Sequence, residues 1–298
     1  MASFTSRRAR NAYPYVFLLP AVAVFTVFFV LPAVLGLYLS LTDASILRSD
    51  SRWVGLDNYV RLFGPEGRKF FASISNQALF AIVTTLGKTG LGVAIAFLLN
   101  RAFVGRNFIR AVVYLPIMFS TIVVGILFNF ILRRDGPFNG FLDAIGLGFL
   151  RQDWFGNFDI ALFSIAGVDI WMGTGWTVVL VIAALQSIPE DVIDAAKLDG
   201  AKPWQMVAFI KIPFILHAIN LALLLTFISG MQAFDIIYAT TGGGPGTATE
   251  VMGTFISRRL AAHELGFPAA ASFVQFVLIT AIAIVINRFV ARKEASLS

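Results

Sequence analysis

Lys88 is the one charge deep inside a long apolar stretch of this chain. An ionisable side chain in such a place either lines a polar path or is paired. Two roles are open to it: facing a polar pore, or pairing with Asp169 on a later apolar stretch. Gly87-Lys88-Thr89 has the look of the end of a phosphate-binding loop, but that pattern needs glycine where Ile82 stands, and a preceding strand. Gly242–Gly246 lacks a following Lys-Ser/Thr pair and reads as a turn. The chain has no Cys, and its two His, His217 and His263, lie far apart. Thiol chemistry, disulfides and Cys-ligated metals are excluded, and a metal centre is not expected. No spaced acid pair shares one helix. Catalytic groups and a nucleotide site are therefore not expected in this chain.

The elements that must position these residues are set by composition. Of 298 residues, 58% are hydrophobic and only 13% charged, with a mean hydropathy of +0.81. A soluble domain carries about 25% charged residues. These values exclude a disordered chain, a disulfide scaffold and an ordinary soluble enzyme, and point to an all-α polytopic membrane protein. Segments of roughly 20 apolar residues are long enough to cross a bilayer. Six are expected, at 14–41, 73–99, 108–132, 161–186, 209–234 and 270–291, flanked by tails 1–13 and 292–298. Pro20 and Pro32 predict a kinked or broken first span. Arg7, Arg8 and Arg10 precede an apolar run too long for a signal peptide, so that run is read as a retained span. Basic residues flank the apolar segments, which suits orientation in a bilayer better than binding to nucleic acid. Short basic segments such as Arg101–Arg106–Arg110 place both termini and the loop 187–213 on the cytoplasmic side. Loops 42–72, 133–160 and 235–269 then face outward.

The loop 187–213 has its own local logic. Ser187 and Glu190 have capping-box spacing, with Pro189 in the first turn. The helix should run to about Asp199, and Gly200 supplies a left-handed stop. Pro203 can open a second short helix, and Ile212-Pro213 leads into the fifth span. The expected product is a helix–turn–helix at the membrane surface. Ala195 and Ala196 give it a flat patch that another protein could approach closely.

This stretch resembles the EAA loop of binding-protein-dependent ABC importer permeases. Asp194-Ala195-Ala196, three residues, Gly200, nine residues, Ile210, one residue and Ile212-Pro213 keep every interval of that pattern. Asp replaces the family's Glu, and Ile its Leu. Gly55-Leu56-Asp57-Asn58-Tyr59, Leu185-Gln186-Ser187-Ile188-Pro189 and Thr241-Gly242-Gly243-Gly244-Pro245 are similar to the carbohydrate-uptake branch that includes maltose, glycerol-phosphate and trehalose importers. The resemblance implies a type I ABC importer permease fold with a cytoplasmic coupling helix, in a bacterial or archaeal cytoplasmic membrane. It implies a second homologous permease, a cytoplasmic ATPase dimer that binds ATP and Mg, an extracytoplasmic solute-binding protein and a sugar substrate. It assigns coupling to the ATPase to Asp194, Ala195, Ala196, Asp199, Gly200 and Pro213.

A sugar path needs aromatic rings and small polar groups facing a cavity. Trp171, Gly173, Thr174 and Trp176 lie on the fourth span, Ser120 and Thr121 on the third, and Thr226, Ser229 and Gln232 on the fifth. Thr226, Ser229 and Ala233 fall on one face by helical spacing. The positions matching sugar-contacting residues of the maltose-importer branch are Ile117, Thr121, Met172, Gly173, Trp176, Thr226, Ser229, Gly230 and Ala233. The competing class is an ion-coupled secondary transporter. It calls for charged relays within the membrane and often inverted repeats. Lys88 and Asp169 are the only candidates for a relay, and no repeat is evident.

Overall fold

The computed structural model describes residues 15–48 and 50–295. Residues 1–14, with Arg7, Arg8 and Arg10, and residues 296–298 lie outside the described residues. Among the described residues the regular structure is helical, and extended pairing is limited to the isolated bridges Thr42–Trp53 and Ser45–Glu264.

Four helices are each long and apolar enough to cross a membrane: Leu19–Ser40, Arg68–Leu99, Ala161–Gln186 and Gly266–Ile286. Two bent pairs bring the number to six if each pair is one span. They are Arg106–Met118 with Thr121–Ile131, bent by 101°, and Pro203–Phe214 with Leu216–Met231, bent by 66°. The third span is thus not the single helix expected over 108–132. Pro116 sits in a 3-10 turn, Leu115–Met118, and Phe119 and Ser120 are extended, so the chain restarts at Thr121. Proline removes a backbone donor and crowds the preceding turn, which is enough to break the helix there. The fifth span bends just past Pro213, below a π turn over Met206–Lys211. Such turns and prolines are the usual causes of sharp kinks.

The first span is interrupted as its prolines predict. A π segment, Thr26–Val30, separates Leu19–Phe25 from Leu31–Ser40. None of the residues in its most apolar stretch is buried within this chain. A helix apolar all round and unburied within its own chain is made for lipid or for another subunit.

The second span forms the spine, packed against the fourth and fifth. Membrane helices gain little from hydrophobic transfer when they meet, so close contact between small residues drives their association. Gly92 illustrates this. A Cβ there would stand 2.5 Å from Thr177 Cβ on the fourth span. At one end of the bundle, Leu99, Val181, Leu185, Ile188 and Ile215 form a buried cluster. Toward the other end, Phe80, Ile165, Ile236 and Val251 form a second.

The connections at that second end are well tied. Asn58 donates to the carbonyls of Ser40 and Thr42, at 2.9 and 2.8 Å. The Tyr59 hydroxyl is 2.7 Å from Ser40 Oγ. Through these contacts the Gly55–Tyr59 motif staples the first loop to the end of the first span. Asn139 donates to Arg134 and Gln152 carbonyls and accepts from Trp154 Nε1 at 2.9 Å. Asn129 donates to the Thr240 carbonyl, tying the lower half of the third span to the helix Asp235–Thr240.

Candidate functional site

Two places in this fold can bear function: the loop between the fourth and fifth spans, and a cavity at the opposite end of the fifth span.

The loop helix runs Glu190–Leu198. Glu190 and Asp191 occupy its first turn and Lys197 its last, in the sense that complements the helix dipole. The expected capping box does not form. Pro189, not Ser187, is the N-cap residue, and the Ser187 hydroxyl instead donates back to the Ala184 carbonyl at 2.8 Å. Ser187 is still in the last turn of the fourth span, where a helical carbonyl competes for its hydroxyl.

The C-terminal stop is as the sequence predicts. Gly200 has φ +76°. Its amide donates to the Lys197 carbonyl and the Ala201 amide to the Ala196 carbonyl, each at 3.0 Å. These two bonds make a Schellman motif, which needs the left-handed residue that glycine supplies without strain. Beyond it, the Lys202 amide donates to Gln205 Oε1 at 2.8 Å, opening the helix at Pro203.

The faces of the loop helix differ from expectation at one point. Ala196 is buried at 8% exposure, so the flat patch is not Ala195 with Ala196. Ile188, Ile193 and Ala196 turn toward the bundle, with Ile188 and Ile193 packing near Leu185 and Ile215. The exposed face carries Asp194, Ala195, Leu198 and Asp199. Leu198 is 89% exposed. It was missed in the sequence, although it lies four residues after Asp194 and so shares its face. Asp194 Oδ1 is 2.8 Å from Lys197 Nζ, and both side chains are about two-thirds exposed, 66% and 64%. Pro213 lies in the first turn of the segment that meets the 66° bend.

The second place is a cavity of about 420 Å³ lined by Thr121, Asp169, Met172, Ser229, Gln232 and neighbouring apolar groups. Thr121 reaches it because the third span breaks at Phe119–Ser120. Irregular backbone at membrane depth is tolerated where it lines a cavity. Asp169 and Met172 come from the fourth span. Gln232, Phe234 and Asp235 come from the turn after the fifth span ends at Met231. Trp176 follows Met172 by four residues and is 48% exposed, so it extends the Asp169–Met172 stripe beyond the cavity.

Ala233 also lines the cavity, whereas three path candidates, Thr226, Gly230 and Gly173, face neighbouring helices. Thr226 is 4% exposed, donates to the Ala222 carbonyl at 2.7 Å and lies 3.4 Å from Thr89 Oγ1. Gly230 abuts the second span, where a Cβ would lie 2.7 Å from Ala81 Cα. Gly173 makes room for Lys88: a Cβ there would be 2.6 Å from Lys88 Cε. Lys88 does pair with Asp169. Nζ is 2.7 Å from Oδ2, with the side chains 5% and 9% exposed. Removing one partner of such a buried pair leaves an uncompensated charge, at a cost of about 3–5 kcal/mol.

Among the described residues no cluster of His, Cys, Asp or Glu could hold a metal ion. A model of the binding-protein-dependent transport system inner membrane component matches residues 88–295. The chain is 32% identical over 280 residues to the probable ABC transporter permease YurN of Bacillus subtilis, covering 93% of this chain and 95% of that one. It is 32% identical over 275 residues to the trehalose/maltose transport system permease MalF of Thermococcus litoralis, covering 91% of each. A chain of a bacterial ABC transporter that imports the acidic polysaccharide alginate superposes with a TM-score of 0.81 at 24% identity, covering 93% of this chain and 94% of that one. At that identity the likeness is one of fold. With the family model covering more than half of the sequence and near-full-length relatives on either side of 30% identity, this chain belongs to the binding-protein-dependent transport system inner membrane components.

Proposed function

We propose that this chain is one of two related permease subunits of an ATP-driven sugar importer in the bacterial or archaeal cytoplasmic membrane. Both termini and the loop 187–213 face the cytoplasm. A dimeric ATPase there binds ATP with Mg and hydrolyses it, and a solute-binding protein delivers sugar from outside. The observation that carries this proposal is the continuity of the fifth span. One end is the loop helix closed at Gly200. The other supplies Ser229, Gln232 and Ala233 to the cavity wall. A displacement of the loop by the ATPase is thereby passed to the cavity through Pro203–Phe214 and Leu216–Met231. Sugar as cargo is supported by relatives named as trehalose/maltose and multiple-sugar permeases.

The mechanism asks no catalysis of this chain. Asp194, Ala195, Leu198, Asp199 and the Gly200 turn form the peg that seats in an ATPase cleft. Thr121, Met172 and Ser229, with Trp176 beyond them, offer hydroxyls and apolar surface to a passing sugar. The test is reconstitution of the complete complex in proteoliposomes. ATP-dependent sugar uptake, with ATP hydrolysis stimulated by the binding protein, is expected. Uptake driven by an ion gradient without ATP would refute it and favour a secondary transporter.

A further inference from the structure

We propose that Asp169, held in place by Lys88, is a substrate-contacting carboxylate that makes this cavity selective for neutral polyhydroxylated solutes and closes it to anionic ones. This rests on the transport role proposed above and names the substrate class of that same site.

The cavity, at about 420 Å³, is within the common size for small-molecule sites. Among the described residues its wall holds two carboxylates, Asp169 and Asp235, and no Lys, Arg or His. Thr121, Ser229 and Gln232 add neutral donors and acceptors, while Met172, Leu225, Ile228 and Phe234 supply apolar surface suited to the C–H faces of a sugar.

Asp169 is only 7% exposed, yet it forms part of this wall. Lys88 is not on the wall. It reaches Asp169 Oδ2 from the second span, across the space left by Gly173. An ionised carboxylate has about four acceptor positions, and one ammonium does not fill them. The Lys88 ammonium is the partner the structure gives Asp169 among the described residues. The carboxylate thus retains acceptor capacity for the hydroxyls of a sugar, and hydrogen bonds to an ionised acceptor are the stronger kind.

The same wall rejects anions. A uronate or phosphate entering here meets the Asp235 carboxylate and the oxygen side of the Asp169–Lys88 pair, with no cation among the lining residues to receive it. Like-charge repulsion of this kind is a standard means of specificity, and it strengthens as the local dielectric falls. Lys88 compensates the charge of Asp169 and fixes its position; it acts through Asp169 and is a positioning residue.

To separate substrate contact from a cross-link between the second and fourth spans, the test exchanges the two residues. The probes are maltose and trehalose as neutral sugars and a glucuronate-bearing disaccharide as the anionic one. Uptake is measured in proteoliposomes containing the full complex. Direct binding is read by saturation-transfer NMR on the permease–ATPase complex without binding protein, so that the cavity alone discriminates. Wild type is expected to take up and bind neutral probes in preference to the uronate. Asp169→Glu keeps that preference. Asp169→Asn lowers neutral-sugar uptake by about tenfold, in the range set by the net loss of one hydrogen bond.

The double variant Lys88→Asp with Asp169→Lys rebuilds the cross-link with a cation on the wall. It is expected to restore assembly and thermal stability to a level that Lys88→Asp alone lacks, to leave neutral-sugar uptake low, and to shift binding toward the uronate. Recovery of neutral-sugar uptake in the double variant would overturn the proposal, as would an unchanged preference in Asp169→Asn or a wild-type preference for the uronate. A wild-type complex that imports no sugar overturns the transport role itself. One that imports neutral sugars regardless of residue 169 overturns this inference alone.

Discussion

Replacing Gly200 gives the sharpest test of the loop as a coupling element, because the structure separates backbone strain from bulk. A Cβ at residue 200 meets nothing within 4 Å among the described residues, so no clash with them contributes. The penalty comes from φ +76°. A non-glycine residue held in that region costs about 1–3 kcal/mol, and a β-branched one is the worst placed. Escaping the strain means giving up the two 3.0 Å bonds from Gly200 and Ala201, each worth about 0.5–1.5 kcal/mol. Either way about 2 kcal/mol separates the native turn from its alternatives, which lowers its population roughly 30-fold. Gly200→Val should abolish binding-protein-stimulated ATP hydrolysis and uptake while the chain still inserts in the membrane. Asparagine tolerates the left-handed region better than alanine, although it is larger. If backbone conformation decides, activity falls in the order Gly, Asn, Ala, Val. If bulk against the ATPase decides, Asn is worse than Ala. Normal coupling with Val at 200 would refute the role of the loop, and Asn below Ala would refute the backbone argument. The assay is ATP hydrolysis with and without binding protein in the reconstituted complex, alongside sugar uptake.

Asp194→Ala should be mild, with uptake within a few-fold of wild type. Its pair with Lys197 is exposed, and such pairs contribute about 0–1 kcal/mol; a complete loss of coupling would show that Asp194 holds an ATPase contact. Trp176→Ala should impair uptake with the complex still assembled, because the ring is half exposed beside the cavity stripe. Thr226→Ala should leave uptake close to normal, since Thr226 faces Thr89 and its own helix. Measuring uptake and complex yield together checks both, and the reverse order would relocate the path. Burial raises the Glu250 carboxyl above its ordinary range, against the opposing pull of Arg258, Lys69 and Arg259. Its proton uptake on folding therefore adds stability that is complete below the usual Glu range and is lost as pH rises through the raised value. Thermal unfolding followed across that window should show the loss in wild type and not in Glu250→Gln, and identical pH profiles would refute it.

The spans and the loop were legible because their signals are local. Apolar length marks a crossing, Gly200 stops a helix wherever it stands, and Pro20 and Pro32 mark the first span as interrupted. The third span was nevertheless expected to be continuous, since proline alone does not say whether a helix kinks or restarts. The capping box failed because Ser187 still belonged to the preceding helix, a competition that spacing cannot display.

The cavity wall was only half legible, and Thr226 and Ser229 show why. Three residues along a helix turn about 300°, leaving the pair about 60° apart. That is close enough to share a face in a spacing argument. Here it sends Thr226 toward Thr89 on the second span and Ser229 to the cavity. Gln232, Phe234 and Asp235 reach the wall because the fifth helix ends at Met231 and the chain turns there, so no helical periodicity could have grouped them with Asp169. Lys88 and Asp169 were each recognisable as charges in apolar segments. What places the carboxylate on the wall and the ammonium behind it is the absence of a side chain at Gly173. A Cβ there would displace the Lys88 stem, and with it the partner that fixes Asp169 at the cavity.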